Sequence, residues 1–225
     1  HFVEAIGAQQ LPNLLGWLKE AVQTNADHVY APGQLLALCG LPGSGKSLLQ
    51  SIITEVLGGT SARAEGWAFG VAAFNEHLFH ANHLLLDMDL CRPGARQRAF
   101  ADFIAELATS STHVCSSMGK RPFNMVTGWR ASVSVGERDE HLQMLPLLDG
   151  RLVDKIILLK VNGRPWGEWT AKPNAFKQFR AAISNEMPAF LRELRLWKIP
   201  EEIRSDRYGV KSYRNPDLCK KAGAL

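Results

Sequence analysis

The sequence predicts an α/β fold in which a central parallel β-sheet is flanked by helices. An apolar run at residues 35–39 leads into a glycine-rich turn and then into a helix-forming run. Three leucines in His83–Asp89 indicate a second buried strand, and the apolar residues of Arg151–Val161 indicate another. Amphipathic helical segments lie between these runs. Strands that alternate with helices are the pattern of a parallel sheet with helical crossovers.

The composition is that of a globular chain. Its 225 residues are 46% hydrophobic and 21% charged, enough for one α/β domain with a small appendage. No apolar run is long enough to span a bilayer, and the N-terminus has no signal-peptide pattern. The four cysteines form no C-x-x-C pair, which argues against a structural zinc site and predicts a reducing, cytoplasmic location. Because the first residue is His1, we expect a domain excised from a longer protein.

The net charge of +4 is unevenly distributed along the chain. Residues 1–159 carry 12 Lys/Arg against 15 Asp/Glu, a balance of −3, whereas residues 160–225 carry 14 against 7, a balance of +7. The basic tail either contacts nucleic acid or forms a solvated helical surface. We therefore divide the chain into an N-terminal helical segment (1–30), a core (31–161) and a basic C-terminal helical region (162–225).

The elements before the glycine-rich turn are a helix and a strand. Leucines at helical spacing predict an amphipathic helix over residues 9–30, which either packs on the core or closes over a nucleotide base. Ala31-Pro32-Gly33 ends this helix and begins the strand.

The turn itself reads G-x-x-x-x-G-K-S from Gly40 to Ser47, the P-loop pattern. Its glycines let backbone amides face inward around phosphates, and the next helix presents its positive N-terminal end. Lys46 would reach phosphate oxygens, and the Ser47 hydroxyl would bind Mg²⁺. A bound ATP is therefore predicted, with contacts from Gly40, Pro42, Gly43, Ser44, Gly45, Lys46, Ser47 and Leu48.

After the P-loop helix, Trp67–Phe74 is predicted to form a short strand or the start of a helix. His77, His80 and His83 are three residues apart and could gather a metal only if they shared one helix face. No Cys or carboxylate completes a familiar ligand set, so packing roles are favoured for these histidines.

Asp87 closes the second buried strand and is predicted to hold Mg²⁺ through water, as a Walker B residue does. Most hydrolytic P-loop enzymes place a second carboxylate directly after it, to orient the attacking water. Met88 occupies that position in this sequence. Asp89 or Glu76 could take that role, or hydrolysis could be weak.

A helix with one apolar face is predicted over residues 96–109, followed by two β-prone runs within residues 112–135. The runs flank Met118–Pro122, which predicts a hairpin or loop with Lys120 and Arg121 at its tip. We expect the second run, Phe123–Gly128, to be the third core strand and to end near the terminal phosphate.

The remaining chain contains a charged loop at residues 136–150, the strand within Arg151–Val161, and a tail. Two helices are predicted in the tail, over Ala175–Ile183 and Glu186–Trp197.

This order of P-loop, Walker B strand, helix, basic G-K-R-P loop and N-M-V-T-G-W strand resembles the superfamily 3 helicases. These are AAA+ ATPases of viral, phage and plasmid replication, including the primase-helicases of mobile elements. The resemblance covers residues 30–160 and implies a ring, expected to be a hexamer, that uses Mg-ATP to move along single-stranded or forked DNA. A fused or associated primase domain is also implied.

The resemblance further implies roles for particular residues. Lys120, with Arg121 beside it, would contact DNA in the central channel. Arg151, or alternatively Lys155, would act as an arginine finger that reaches the γ-phosphate of the neighbouring subunit. Trp129 stands where the family places a sensor Asn, so Thr127, Arg130 or Ser132 would have to substitute.

Two other readings stay open. A P-loop nucleotide kinase could use the arginines of residues 92–98 for its acceptor, although no arginine-rich lid is evident. An AAA+ assembly or defence ATPase that oligomerises without unwinding DNA could have the same sequence features.

Overall fold

A computed structural model describes residues 2–27, 30–88, 97–143, 145–146, 150–163 and 173–221. The α-helices are α1 (Phe2–Ile6), α2 (Leu11–Ala26), α3 (Lys46–Val56), α4 (Glu65–Ala68), α5 (Gln97–Leu107), α6 (Asp139–Leu142), α7 (Pro173–Leu196) and α8 (Pro216–Lys221). The strands are β1 (Leu35–Gly40), β2 (Ser61–Arg63), β3 (His83–Asp87), β4 (Thr112–Cys115), β5 (Phe123–Val126), β6 (Arg130–Gly136), β7 (Ile156–Lys160), β8 (Arg204–Ser205) and β9 (Gly209–Val210).

The central sheet contains five parallel strands in the order β2-β3-β6-β1-β7. The predicted α/β fold, with a parallel sheet flanked by helices, is therefore confirmed. Strand β6 lies between β1, which leads into the P-loop, and β3, which ends at Asp87. Gly40 is opposite Gly136, and Asp87 is opposite Ser134. The P-loop and Asp87 thus share the carboxyl edge of the sheet, where ligands bind in open α/β folds.

Each face of the sheet carries its own hydrophobic core, as the two-residue period of the strands requires. Leu35 and Ala37 of β1 face a cluster that contains Phe100 and Ile104 of α5. Leu36 and Leu38 face the opposite cluster, to which α2, α3 and α7 contribute. The P-loop helix α3 therefore lies on the face of the even-numbered β1 residues.

The third core strand is β6, and the prediction that Phe123–Gly128 would fill this place is wrong. Phe123–Val126 pairs antiparallel with Thr112–Cys115 in a separate two-stranded hairpin. Three of the four β5 residues are exposed, whereas all seven residues of β6 are buried. The hairpin predicted on either side of Met118–Pro122 is present.

A single helix, α7, replaces the two helices predicted in the tail. Its apolar stripe includes Phe179, Ile183 and Leu194, which belong to the core cluster, so packing favours a continuous helix. Pro188 lies inside this helix on its exposed side. Ser184, whose carbonyl loses its helical partner to Pro188, is also exposed, so hydration of that carbonyl is expected to reduce the usual penalty for a proline in a helix.

Residues near the C-terminus cover the outer edge of β7. The Leu158 amide donates to the Tyr213 carbonyl (2.7 Å), and the Asn215 amide donates to the Leu158 carbonyl (3.0 Å). At the end of β7 the buried Gln10 side chain pairs with the backbone of Lys160 through both its amide nitrogen (3.0 Å) and its oxygen (2.9 Å). The edge of the sheet is thus hydrogen-bonded by segments from both ends of the chain.

Among the described helices, none combines the length and the apolar character that crossing a bilayer demands.

Candidate active site

The P-loop connects β1 to α3 through a backbone that only glycine adopts readily. Gly43 and Gly45 have positive φ angles of 76° and 89°. A Cβ on Gly40 would lie 2.7 Å from both Ser44 Oγ and the Val161 carbonyl oxygen, so a side chain has no room there. Helix α3 then begins at Lys46, and its first amides point toward the loop.

Lys46 is buried, and its ammonium group lies inside the loop. Its Nζ donates to the carbonyl oxygens of Gly40 (2.9 Å) and Leu41 (3.1 Å). Ser44 Oγ is buried and makes no hydrogen bond to any described residue, so it has the capacity to bind an external polar group. These donors and the glycine cradle fit a triphosphate in charge and in hydrogen-bonding capacity.

Ser47 and Asp87 line the same cleft, which has a volume of about 320 Å³. Ser47 is exposed in the first turn of α3, and Asp87 is the last residue of β3. The structure therefore brings together the hydroxyl and the carboxylate predicted to hold Mg²⁺. Both are oxygen donors of the kind that Mg²⁺ prefers. Arg180 of α7 also lines this cleft and pairs with Glu55 of α3 at 2.5 Å.

A buried chain of hydrogen bonds joins α3 to β3 and β6 beneath this cleft. His83 bonds Thr54 Oγ1 through Nδ1 (2.8 Å) and Ser132 Oγ through Nε2 (2.9 Å). Gln50 Nε2 also donates to Ser132 Oγ (3.0 Å). Burial lowers the pKa of His83 from 6.5 to about 3. This neutral network fixes the helix that carries Ser47 against the strand that carries Asp87.

None of the three sensor substitutes lies at the carboxyl end of the third core strand. Arg130 is the first residue of β6, at the opposite edge, where it is buried and donates to the Ala31 carbonyl (2.9 Å) and to Thr24 Oγ1 (3.2 Å). Thr127 precedes this strand, and Ser132 belongs to the buried network. These assignments were wrong because they depended on the misplaced strand. Trp129 is a core residue whose Nε1 donates to the Leu78 carbonyl (3.1 Å).

Glu137, which the sequence reading did not single out, follows the carboxyl end of β6. Its carboxylate is 8% exposed and pairs with Lys221 of α8 (2.5 Å) and with Lys160 of β7 (3.5 Å). The hydrogen bond from Lys221 holds the pKa of Glu137 below its usual value. The contact between Glu137 and Lys160 crosses the end of β1, and it joins residues too distant in sequence for any local pattern to reveal.

The hairpin β4–β5 carries Lys120 and Arg121 at its tip. The side chain of Lys120 is 67% exposed, and its Nζ lies 3.5 Å from Glu76 Oε1. Arg121 is also exposed, beside Gly119, which has a positive φ of 72°. Glu76 therefore lies beside the basic tip of the hairpin. It is not among the residues that line the cleft containing Ser47 and Asp87.

Arg151 and Lys155 lie just before β7, at the amino edge of the sheet. Arg151 Nη1 pairs with Asp102 Oδ1 of α5 at 2.8 Å, and both side chains are more than half exposed. Lys155 is buried, and its Nζ donates to the Arg151 carbonyl (2.5 Å) and to Asp154 (3.1 Å). Arg151 is thus an exposed residue paired with Asp102, whereas Lys155 is buried and bonded within its own loop.

Some predicted residues lie outside the described part of the chain. Asp89 is one, and so are most of the arginines proposed for a kinase acceptor site, within residues 92–98. Within the described residues, no cluster of three or more His, Cys, Asp or Glu side chains could hold a metal ion. Cys39, Cys115 and Cys219 are free thiols, and burial raises the pKa of Cys39 to about 12.

No family model and no curated protein matches the sequence, but solved structures do. The apo structure of the NrS-1 C-terminal region (305–718) aligns with 91% of this chain at a TM-score of 0.63 and 12% identity. The two chains share a fold. The A form of the same region aligns with 96% of this chain at a TM-score of 0.63 and 11% identity.

The chain spans less than half of these structures, 46% and 47% of their lengths. A JCV helicase structure also aligns, over 83% of this chain and 55% of its own, at 11% identity and a TM-score of 0.45. A score at that level does not establish a common fold.

Proposed function

We propose that this chain is the cytoplasmic ATPase module of a superfamily 3 type helicase. It binds ATP and Mg²⁺ at the carboxyl edge of its sheet and assembles as a homo-oligomeric ring, expected to be a hexamer. Hydrolysis moves single-stranded or forked DNA through that ring during replication of a mobile element or phage. A primase domain, fused or associated, would supply primers to the same complex.

One observation carries this proposal: an exposed basic hairpin is inserted between the strand of Asp87 and the third core strand of a P-loop sheet. The hairpin interrupts the chain after α5 and makes no strand pairing with the central sheet. Its tip places Lys120 and Arg121 in solvent, where cations can contact a phosphate backbone. Ser47 and Asp87 line a cleft that does not include the hairpin, which supports separate sites for nucleotide and nucleic acid in this proposal.

The proposal is tested by measuring ATP turnover with and without single-stranded DNA. Lys46→Ala should abolish turnover, because the ammonium group that would contact the phosphates is lost. Lys120→Ala should keep the basal rate and lose the stimulation by DNA. Lys177→Ala removes another exposed lysine, on α7 and away from the hairpin, and should behave as wild type.

Full stimulation of the Lys120→Ala variant by DNA would refute the role of the hairpin. Binding measured at several salt concentrations gives an independent readout, because the loss of one phosphate contact reduces the salt dependence by about one unit of slope.

Arg151 is tested by mixing two inactive variants. Arg151→Ala alone should lower turnover by on the order of a thousandfold if it acts on the neighbour's nucleotide. A mixture with Lys46→Ala should recover part of the activity, since some interfaces then pair an intact P-loop with an intact Arg151. No recovery, in a mixture that mass measurement shows to have co-assembled, would contradict action in trans.

The alternatives give different results in the same preparations. A nucleotide kinase would transfer phosphate from ATP to a nucleoside or nucleotide acceptor, which chromatography of the products detects. An assembly or defence ATPase would change its mass with a non-hydrolysable ATP analogue yet fail to unwind a forked duplex.

A further inference from the structure

Strand β6 ends in a glycine, Gly136, on the side of the sheet that faces the P-loop helix α3. No β6 side chain therefore covers that side at the very end of the strand. Residues of even number in β6 point toward α3, as the contact between Ser132 and Gln50 shows. Gly136 is the last even-numbered residue of the strand, directly opposite Gly40, where the P-loop begins. Two residues earlier, Ser134 is opposite Asp87. Gly136 thus lies beside the P-loop strand and two residues beyond the residue that pairs with Asp87.

His141 fills the space that Gly136 leaves open. A Cβ on Gly136 would lie only 1.9 Å from His141 Nδ1 and less than 3 Å from two further ring atoms. The histidine belongs to α6, which begins three residues after Gly136, so the chain turns back over the strand end. Gly136 is not among the glycines with positive φ, so the space for this ring, rather than the backbone, is what requires a glycine here.

We propose that His141 is the group that contacts the terminal phosphate of the bound nucleotide from the end of β6. This inference rests on the proposed function and names a residue for the place left unassigned when Thr127, Arg130 and Ser132 were rejected. An imidazole N–H at this strand end would donate a hydrogen bond to a γ-phosphate oxygen. A donor fixed in this way stabilises the negative charge that the phosphoryl oxygens carry during transfer to water.

The test compares turnover with binding of two nucleotides, a non-hydrolysable ATP analogue and ADP. Removal of one preorganised donor lowers kcat by on the order of a hundredfold. His141→Ala should therefore lose about that much turnover and bind the ATP analogue about tenfold more weakly, with unchanged ADP affinity. A structural role alone would weaken both nucleotides equally. His80→Ala, at an exposed histidine far along the chain, is the matched control.

Two further variants keep the inference falsifiable if His141→Ala folds poorly. Gly136→Ala should displace the ring, because its Cβ occupies the same space, and should reproduce the loss of turnover and of discrimination between ATP and ADP. Gly136→Asn combined with His141→Ala places an amide donor directly on the strand and should restore turnover in part.

The role of His141 would be overturned if His141→Ala and Gly136→Ala both kept turnover, and the preference for ATP over ADP, within about twofold of wild type. Equal losses of ATP and ADP affinity would overturn it as well. If the wild-type protein shows no more ATP turnover than the Lys46→Ala variant, the proposed function is overturned, and this inference with it.

Discussion

Mild acidification is expected to destabilise this chain through His83. The imidazole is fully buried between Thr54 and Ser132, and burial lowers its pKa from 6.5 to about 3. In the unfolded chain it takes up a proton near pH 6.5, whereas in the folded chain it stays neutral down to about pH 3. Between these values the unfolded state binds more protons, so the free energy of unfolding falls as pH falls. The stabilisation is complete above pH 6.5 and is lost progressively below it.

The two pKa values give the size of this effect. Between about pH 7 and about pH 5 the preferential protonation of the unfolded chain lowers the free energy of unfolding by about 2 kcal/mol. Acidic side chains with lowered pKa values, such as Glu137, act mainly below this range. Burial raises the pKa of Glu20, so its protonation in the folded chain acts in the opposite direction, and a comparison with a variant that lacks His83 is needed to isolate the histidine contribution.

Urea denaturation at a series of pH values measures this dependence in wild type and in His83→Gln, which keeps a hydrogen-bonding side chain but cannot titrate. The difference between the two proteins should change by about 2 kcal/mol over the range. His80→Gln, at an exposed site, should follow the wild-type curve. An identical pH dependence in His83→Gln and wild type, or an NMR titration of the His83 ring near pH 6.5, would refute the reasoning.

Three other substitutions test the packing of the sheet by the same denaturation measurement. Phe100→Ala should lower the free energy of unfolding by about 3–5 kcal/mol, because a fully buried ring is removed from the core cluster, and a loss below about 1 kcal/mol would contradict that packing. Gln10→Ala should cost about 1–3 kcal/mol, since the partly buried amide of Lys160 loses its acceptor. Arg130→Ala should cost about 3 kcal/mol through the loss of its buried bonds to Ala31 and Thr24, and a neutral outcome would show that water replaces them.

Local sequence patterns were sufficient for the P-loop and for the strand that ends at Asp87. Each is a contiguous run in which the residue types themselves determine the backbone and the chemistry, so Lys46, Ser47 and Asp87 could be placed from the sequence. The sheet that brings them to one edge follows from the alternation of strands and helices.

The third core strand shows where local patterns fail. Phe123–Val126 and Arg130–Gly136 are both rich in β-forming residues, and only their tertiary surroundings separate an exposed hairpin strand from a buried one. Because the third core strand was predicted at Phe123–Gly128, Gly136 was not identified from the sequence as a strand end, and the contact between Gly136 and His141 was missed. The break predicted between Ile183 and Glu186 was wrong for the same reason, because helix continuity there depends on a stripe that packs against distant elements.

The backbone pairing along β7 has a consequence for how fragments of this chain would behave. A piece ending at the predicted core boundary, residue 161, would lack Tyr213 and Asn215 and would leave the hydrogen-bonding groups of Leu158 unmatched. Open strand edges recruit other strands, so such a fragment is expected to self-associate through its sheet. The C-terminal segment that pairs with β7 is therefore expected to reduce aggregation by covering this edge of the sheet.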